Sequence, residues 1–353
     1  MNTKNNPKRL CLLRLSALGD VTHVLPVINA IRTAWPDCKI TWIIGEFEKN
    51  LFDELPDVEF ISFNKKAGLA GYRQLFFTLR QRQFDVLLHM QLSLRANLIA
   101  MMVRAPRKIG FDRSRSKEGH SLVVNERIEN VAGQHVLEAF LSFLKPLGLQ
   151  SQAINYCMPV STSAVDSLSK LIPGKDPYVV ISPASSHALR NWSVEGYAVV
   201  ADHLIRVHKL RVVLSGGKSE LERSLGIAIE RQMKEKPLNL IGKDTLGQMV
   251  AMLDQTLFLV SPDSGPAHIA NALGTPVLGL YAATDCQRSG PYHSRHWCVD
   301  AYAKAAQQFL DKQASELKWG KKIELPGVMS LIEIDEVINR TDQMVAELSP
   351  GRE

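Results

Sequence analysis

Several short stretches of this 353-residue chain hold residue types suited to an anionic ligand. The first is Ser16-Ala17-Leu18-Gly19-Asp20. Its glycine lets backbone come close to a ligand. Asp20 then stands past the first strand, where α/β proteins bind ligands, or it caps the helix that follows. The second runs from Ser182 to Trp192 and holds Ser185, Ser186 and Arg190 ahead of a helix. Two hydroxyls and a guanidinium there form either an anion site or a plain surface loop. The third, Ser215-Gly216-Gly217-Lys218-Ser219-Glu220, lacks the Walker spacing, and Glu220 suits a helix N-terminus on dipole grounds alone. The fourth, Asp263-Ser264-Gly265-Pro266-Ala267-His268, compresses strand, turn and helix start. Free N–H groups there favour a diphosphate. Asp263 can equally be a cap, and His268 a half-buried structural histidine.

A basic run adds Arg104, Arg107, Lys108, Arg113, Arg115 and Lys117, with Lys65 and Lys66 in an earlier loop. It is a solvated face or a patch for an acidic substrate. No aromatic residues interleave it, which disfavours nucleic acid. No D-x-D occurs, so any diphosphate chemistry is expected to use protein cations and helix termini, with no bound metal and no cofactor.

The elements that must position these residues alternate. Strands are expected at Leu10–Ser16, Lys39–Ile44, Val58–Phe63, Phe84–His89 and Lys108–Phe111. Val21, Val24, Leu25, Ile28 and Ile31 take helical spacing, with Pro26 in a first turn or at a kink. A break follows near 150–177, where Ser151, Ser161, Thr162, Ser163 and Pro173-Gly174 read as linker. The alternation restarts with strands at Tyr178–Ser182, Leu210–Leu214, Leu257–Ser261 and Pro276–Tyr281, and Ile269–Leu273 continues a helix after the fourth motif. This is the pattern of parallel sheets covered on both faces. Residues 300–330 look less regular. Ile334, Val337, Ile338, Thr341, Met344, Val345 and Leu348 then mark an amphipathic helix with an acidic polar face, suited to packing on protein.

The composition fits such a fold. An apolar share of 45% excludes a disordered chain, and a net charge of +6 hints at an anionic partner without forcing nucleic acid. Five scattered cysteines with no C-x-x-C suggest a reducing compartment rather than zinc or disulfides. Lys4, Lys8 and Arg9 precede a stretch that Arg14 cuts short, so no signal peptide is expected. The Val86–Val103 stretch is interrupted by His89, Gln91, Arg95 and Asn97. A cytoplasmic protein is expected, with peripheral membrane contact open.

Arg14-Leu15-Ser16-Ala17-Leu18-Gly19-Asp20-Val21 with Leu25-Pro26, and Asp263-Ser264-Gly265-Pro266-Ala267-His268 running on to Ala272, together resemble glycosyltransferase family 9. These are the ADP-heptose:lipopolysaccharide heptosyltransferases. The resemblance spans about 10–300. It implies the GT-B fold: two Rossmann-like domains facing a central cleft, here 1–165 for the acceptor and 175–330 for the nucleotide sugar. A C-terminal helix, 331–353, is implied to pack back towards the first domain. It further implies inverting transfer of heptose from ADP-heptose to the anionic inner core of lipopolysaccharide. Asp20 corresponds to the catalytic base. Ser185 and Ser186 correspond to donor-binding hydroxyls, and Arg190 to a diphosphate cation that is usually lysine. Glu220 corresponds to the acid on the adenosine ribose, and Asp263, Ser264, Gly265 and His268 to the donor loop. Lys65, Lys66 and Lys117 fall where cations meet the acidic acceptor. Competing readings are a relative using another nucleotide sugar or acceptor, a nucleotide-sugar epimerase or hydrolase, and a binding protein without catalysis.

Overall fold

The computed structural model describes residues 6–150 and 153–349, so Lys4 and Ser151 lie outside the described residues. The chain divides into two units, Met1–Pro159 and Val160–Glu353. In the first, β1 (Arg9–Leu13), β2 (Lys39–Gly45), β3 (Val58–Phe63), β4 (Val86–His89), β5 (Arg107–Gly110) and β6 (Glu126–Arg127) form one parallel sheet, ordered β3-β2-β1-β4-β5-β6. In the second, β7 (Tyr178–Ile181), β8 (Arg211–Leu214), β9 (Leu238–Asn239), β10 (Leu259–Pro262), β11 (Val277–Tyr281) and β12 (Val299–Asp300) repeat that winding as β9-β8-β7-β10-β11-β12. Both are the doubly wound Rossmann order. Its direction reverses between β1 and β4, and between β7 and β10, opening a crevice past the strand ends.

The central strands are continuous apolar runs because both sheet faces are covered. Leu10–Leu13 pairs with Val86–His89, and all eight residues are buried. The first unit carries α1 (Leu18–Thr22), α2 (Leu25–Ala34), α3 (Glu46–Lys49), α4 (Gly68–Leu79), α5 (Leu94–Met102), α6 (His120–Val123) and α7 (Val136–Leu141). Pro26 sits in the first turn of α2, where its missing N–H costs no hydrogen bond, so α1 and α2 are separate helices.

The second unit carries α8 (Thr162–Leu171), α9 (Val194–Arg206), α10 (Glu220–Gln232), α11 (Leu246–Gln255), α12 (Gly265–Leu273), α13 (Cys286–Ser289), α14 (Tyr302–Leu310) and α15 (Ile334–Leu348). The boundary falls at 159/160 rather than 165. What reads as linker holds α8, whose Ala164 and Leu168 are buried as it packs on α11. The less regular 300–330 stretch holds α14, with Tyr302, Ala305 and Ala306 in the core.

The apolar stripe of α15 packs on α9, and Val337 and Met344 lie in the core of the second unit itself. Each such burial contributes roughly 1.5–3 kcal/mol. The Asp342 carboxylate adds a seam, with Oδ1 lying 2.6 Å from Nε2 of both His203 and His208. Burial alone raises that carboxyl, but hydrogen bonds from His203 and His208 outweigh it and hold Asp342 below the usual carboxylate range.

Candidate functional sites

In the first unit the site starts where β1 ends. Leu15 N–H donates to Gln91 Oε1 at 2.6 Å, and the Trp42 indole N–H donates to the Arg14 carbonyl at 3.1 Å. The Gly45 N–H donates to the Leu15 carbonyl at 3.0 Å. A Cβ at Gly45 would meet that oxygen at 2.5 Å, so this close approach requires glycine. The turn is thus pinned from β2 and from the loop after β4.

Asp20 is the third residue of α1. Its Oδ2 accepts the Ala17 N–H at 3.3 Å and lies 2.5 Å from Nη2 of Arg14. Oδ1 takes no hydrogen bond among the described residues. Arg14 is itself fixed, donating Nη1–H to the Met90 carbonyl at 2.7 Å with its guanidinium over the Phe140 ring. The side chain of Arg14 is 12% exposed and that of Asp20 38%, so a buried cation orients a carboxylate that solvent reaches. Asp20 therefore makes the capping contact and still offers an open oxygen.

Beside this turn lies a cavity of about 290 Å³, lined by Leu15, Ser16, Glu46, Lys65, Lys66 and Arg95 among others. Asn64 accepts the Lys66 N–H at 2.8 Å and starts the turn that presents both exposed lysines. Lys117 is not on this cavity wall; it is exposed in the loop before α6. Much of the basic run is structural. Arg107 pairs Glu126 through two hydrogen bonds of 2.7 and 2.8 Å, and Lys108 Nζ donates to the Ala100 carbonyl. Arg115 is tied to Asp112, whose carboxyl burial would raise but which Ser114 and Arg115 hold below the usual range.

In the second unit the loops after β7 and β10 converge at the switch point. Ser182 N–H donates to the Val260 carbonyl, and Ser261 Oγ donates to the Ser182 carbonyl at 3.0 Å. Asn191 Oδ1 accepts the Ser185 N–H at 2.8 Å, and Ser185 Oγ donates to the His187 carbonyl, so Ser185 is a buried loop brace. Ser186 is exposed. Trp192 anchors the loop from behind, donating its indole N–H to the Ile332 carbonyl at 3.0 Å. Gly196 admits that ring, since a Cβ there would lie 2.5 Å from it.

Arg190 is mostly buried between two carboxylates. Its Nε and Nη2 lie 2.7 and 2.6 Å from Glu324 Oε1, and Nη1 lies 3.6 Å from Asp263 Oδ2. His268 Nε2 lies 3.8 Å from Asp263 Oδ1. Burial would raise the Asp263 carboxyl, but His268, Arg190 and Thr284 together keep it below the usual range, and it stays ionised. Glu324 is likewise held low, Arg190 outweighing its burial. Helix α12 starts at Gly265, with Pro266 in its first turn, and the Ser264 side chain makes no capping hydrogen bond to it. Ser264 Oγ pairs instead with Ser261 Oγ at 2.7 Å. The first turn of α12 thus has the chemistry to receive an anion.

Glu220 is exposed at the start of α10, where Oε1 accepts the Ser224 hydroxyl at 3.3 Å. Its neighbour Glu222 closes the 215–219 loop, accepting the Gly217 N–H and the Ser219 hydroxyl at 2.8 and 2.5 Å. Behind that loop, burial pushes Asp244 up to about 6, with Ser215 Oγ at 3.4 Å.

The family model for glycosyltransferase family 9 (heptosyltransferase) matches residues 72–320. The lipopolysaccharide core heptosyltransferase OpsX of Haemophilus influenzae is 36% identical over 96% of this chain and 97% of its own length. The chain belongs to glycosyltransferase family 9. Its fold matches a family 9 protein of Veillonella parvula with a TM-score of 0.79, at 21% identity over 96% of this chain and 97% of that one. It also matches the E. coli heptosyltransferase WaaC with ADP, with a TM-score of 0.73 at 20% identity over 97% and 100% of the two chains. The fold is therefore that of the GT-B heptosyltransferases, two Rossmann-like α/β domains, and the chain is a glycosyltransferase.

Within this family frame the structure gathers Arg190, Asp263, Ser264, Gly265 and His268 at one switch point, with Ser185 beneath. Lys65 and Lys66 share a cavity; Lys117 does not join them. Residues the sequence did not single out for a role are Arg14, Gln91 and Arg95 in the first unit, and Asn191, Asp244 and Glu324 in the second. Arg14 stood within the quoted opening motif, and that was its only signal. Glu324 lies in the stretch that looked irregular.

Proposed function

We propose that this enzyme transfers a heptose from ADP-heptose to the anionic inner core of lipopolysaccharide, inverting the anomeric centre. The observation that carries the reading is the second unit's switch point. There a fixed guanidinium and a helix N-terminus offer donors for a diphosphate. Family membership and the core heptosyltransferase relative support the sugar and the acceptor class. The exposed Lys65, Lys66 and Arg95 at the first unit's cavity suit an acidic acceptor.

In this mechanism Oδ1 of Asp20 takes the proton of the acceptor hydroxyl as its oxygen attacks the anomeric carbon. The bond from that carbon to the β-phosphate oxygen breaks, and ADP leaves with the electron pair. Arg190 and the first N–H groups of α12 stabilise the charge growing on the diphosphate. Ser186 and Glu220, both exposed, are assigned to the donor's sugar and ribose hydroxyls. Ser185 braces the loop that carries Ser186. The enzyme works at the cytoplasmic face of the inner membrane, where a lipid-borne acceptor is reached.

Calorimetric titration with ADP-heptose, and with UDP- and GDP-sugars as controls, tests the donor. Selective binding of ADP-heptose is expected. Binding of a UDP- or GDP-sugar instead would discard the heptose assignment. Chelation by EDTA is expected to leave most activity, since protein groups carry the diphosphate; complete loss restored by magnesium would contradict that.

A further inference from the structure

Helices α4, α5 and α6 follow β3, β4 and β5. Right-handed crossovers onto β4, β5 and β6 set all three on one face of the first sheet, and α4 packs on α5, and α5 on α6. Each helix meets the sheet through one stripe. In α4 this is Gly71, Leu75 and Leu79, and in α5 it is Ala96, Ile99 and Ala100. A second apolar stripe points outward. Leu69, Phe76 and Phe77 of α4, Leu94, Leu98 and Met101 of α5, and Leu122 of α6 are all exposed, with Leu69 and Leu122 at 87% and 89%. An ordinary surface helix carries one apolar stripe, and exposed apolar side chains of a soluble protein are mostly scattered.

The charge on this face is one-sided. Of the nine lysines and arginines in residues 64–108, Arg82 and Arg107 pair with Glu59 and Glu126 and Lys108 turns to the Ala100 carbonyl, which leaves Lys65, Lys66, Arg73, Arg80, Arg95 and Arg104 against Asp85 and, between α5 and α6, Glu118. On the outer turns of α4, Arg73 and Arg80 set their guanidinium groups 5.8 and 4.7 Å from the Phe77 ring. Arg95 and Arg104 are exposed at the two ends of α5. Aliphatic and aromatic side chains set among arginines match a surface of anionic headgroups over hydrocarbon. A second copy would set one strongly cationic face against another. Aliphatic side chains do not stack on nucleobases.

We propose that the outer face of α4, α5 and α6 is a docking surface for a bilayer containing anionic lipid. Leu69, Phe76, Leu98 and Met101 enter the interface, and Arg73 and Arg80 hold headgroup phosphates. Lys65 and Lys66 precede α4 and Arg95 opens α5, and all three line the 290 Å³ cavity, which therefore lies beside this face. A lipid-anchored acceptor would enter the cavity from the membrane it is embedded in. Only this last step rests on the proposed function; the docking surface does not.

The test is co-sedimentation of the full chain with phosphatidylcholine vesicles, with and without 30% phosphatidylglycerol, at about 0.1 M salt. The expected result is binding to the anionic vesicles only, weakened by salt. Arg73→Gln with Arg80→Gln is expected to lower the partition coefficient roughly twenty-fold. Leu69→Ser with Phe76→Ser is expected to abolish binding while leaving thermal unfolding and turnover of a deacylated, water-soluble acceptor unchanged. Equal binding to both vesicle types, no binding to either, or unaltered binding by both double variants would overturn the proposal. So would a dimer in light scattering that the Phe76 variant dissolves. Should the chain use another sugar or acceptor, the vesicle result is unaffected, so failure of the two readings is distinguishable.

Discussion

The two units share one strand order yet treat charge in opposite ways. In the first, Lys65 and Lys66 stand exposed at a cavity, and Arg14, the buried cation, orients Asp20. In the second, the cation Arg190 is mostly buried and shared by Glu324 and Asp263. The difference fits two tasks. A diphosphate leaving group needs a donor held in place as charge develops, because preorganised groups need not reorganise during the reaction. A large acidic acceptor needs attraction at longer range, which exposed lysines supply.

Replacing groups on either side breaks this comparison in graded ways. Asp20→Ala has the largest expected effect. It removes the proposed base, and steady-state transfer should fall by roughly 100- to 10,000-fold. A rate within threefold of the wild type would remove Asp20 from the mechanism. Arg190→Ala comes next. It takes away the cation proposed for the diphosphate and leaves Glu324 and Asp263 unneutralised, so affinity for ADP should drop roughly 30-fold or more by calorimetry. Unchanged affinity would move the anion site elsewhere.

Glu324→Gln sharpens the contrast. Glu324 is a positioning residue, and its carboxylate also repels a diphosphate. ADP should therefore bind a few-fold tighter while kcat falls about tenfold, because Arg190 loses its fixed geometry. Equal losses in both would show a structural role only. Lys65→Ala with Lys66→Ala should raise the acceptor KM about fivefold and steepen no other constant, since exposed cations each contribute modestly. A matching rise in the donor KM would contradict the division of labour.

The smallest effect concerns pH and stability. In the first unit, burial and the neighbouring ring lower His89 to about 3, and burial lowers His120 to about 4. The two imidazoles share Asn97 Oδ1 at 2.9 and 3.3 Å. The Phe111 N–H donates to His120 Nε2, so that ring holds its proton on Nδ1. Their folded pKa values lie below the unfolded value of 6.5, so their contribution is present above pH 6.5 and is lost as pH falls towards 4 and then 3. Asp244 has the opposite sign. Its value is raised from 3.8 to about 6, so its contribution is present below pH 3.8 and lost as pH rises through 6. Asp244→Asn should therefore raise the melting temperature more at pH 8 than at pH 4, whereas acid should weaken the first unit. Calorimetric scans across that range would contradict this if the Asn variant gained nothing at pH 8.

Much of this molecule could be read from residues alone. Long apolar strands such as Leu10–Leu13 and the 3.6-residue stripe of α15 declare themselves, because burial on fixed faces leaves a period in the sequence. The edge strands β6, β9 and β12, two residues each, leave no period to read. The helix start expected within Asp263–His268 falls at Gly265, where glycine and proline fit a first turn. The C-terminal helix was legible as an amphipathic element, but its partner was not. A stripe says that something is covered, while its place on α9 depends on contacts far apart in the chain. The turn at Asp263–His268 was legible in residue types. The role of Glu324 was not, because it comes 134 positions after Arg190, and only the fold brings the pair together.

The most direct test of the division between the units is calorimetric titration of Asp20→Asn with ADP-heptose, beside its transfer rate. The account predicts donor affinity within a few-fold of the wild type and transfer reduced to background. A loss of donor affinity as large as the loss of rate would contradict it, placing Asp20 on the donor rather than on the acceptor hydroxyl.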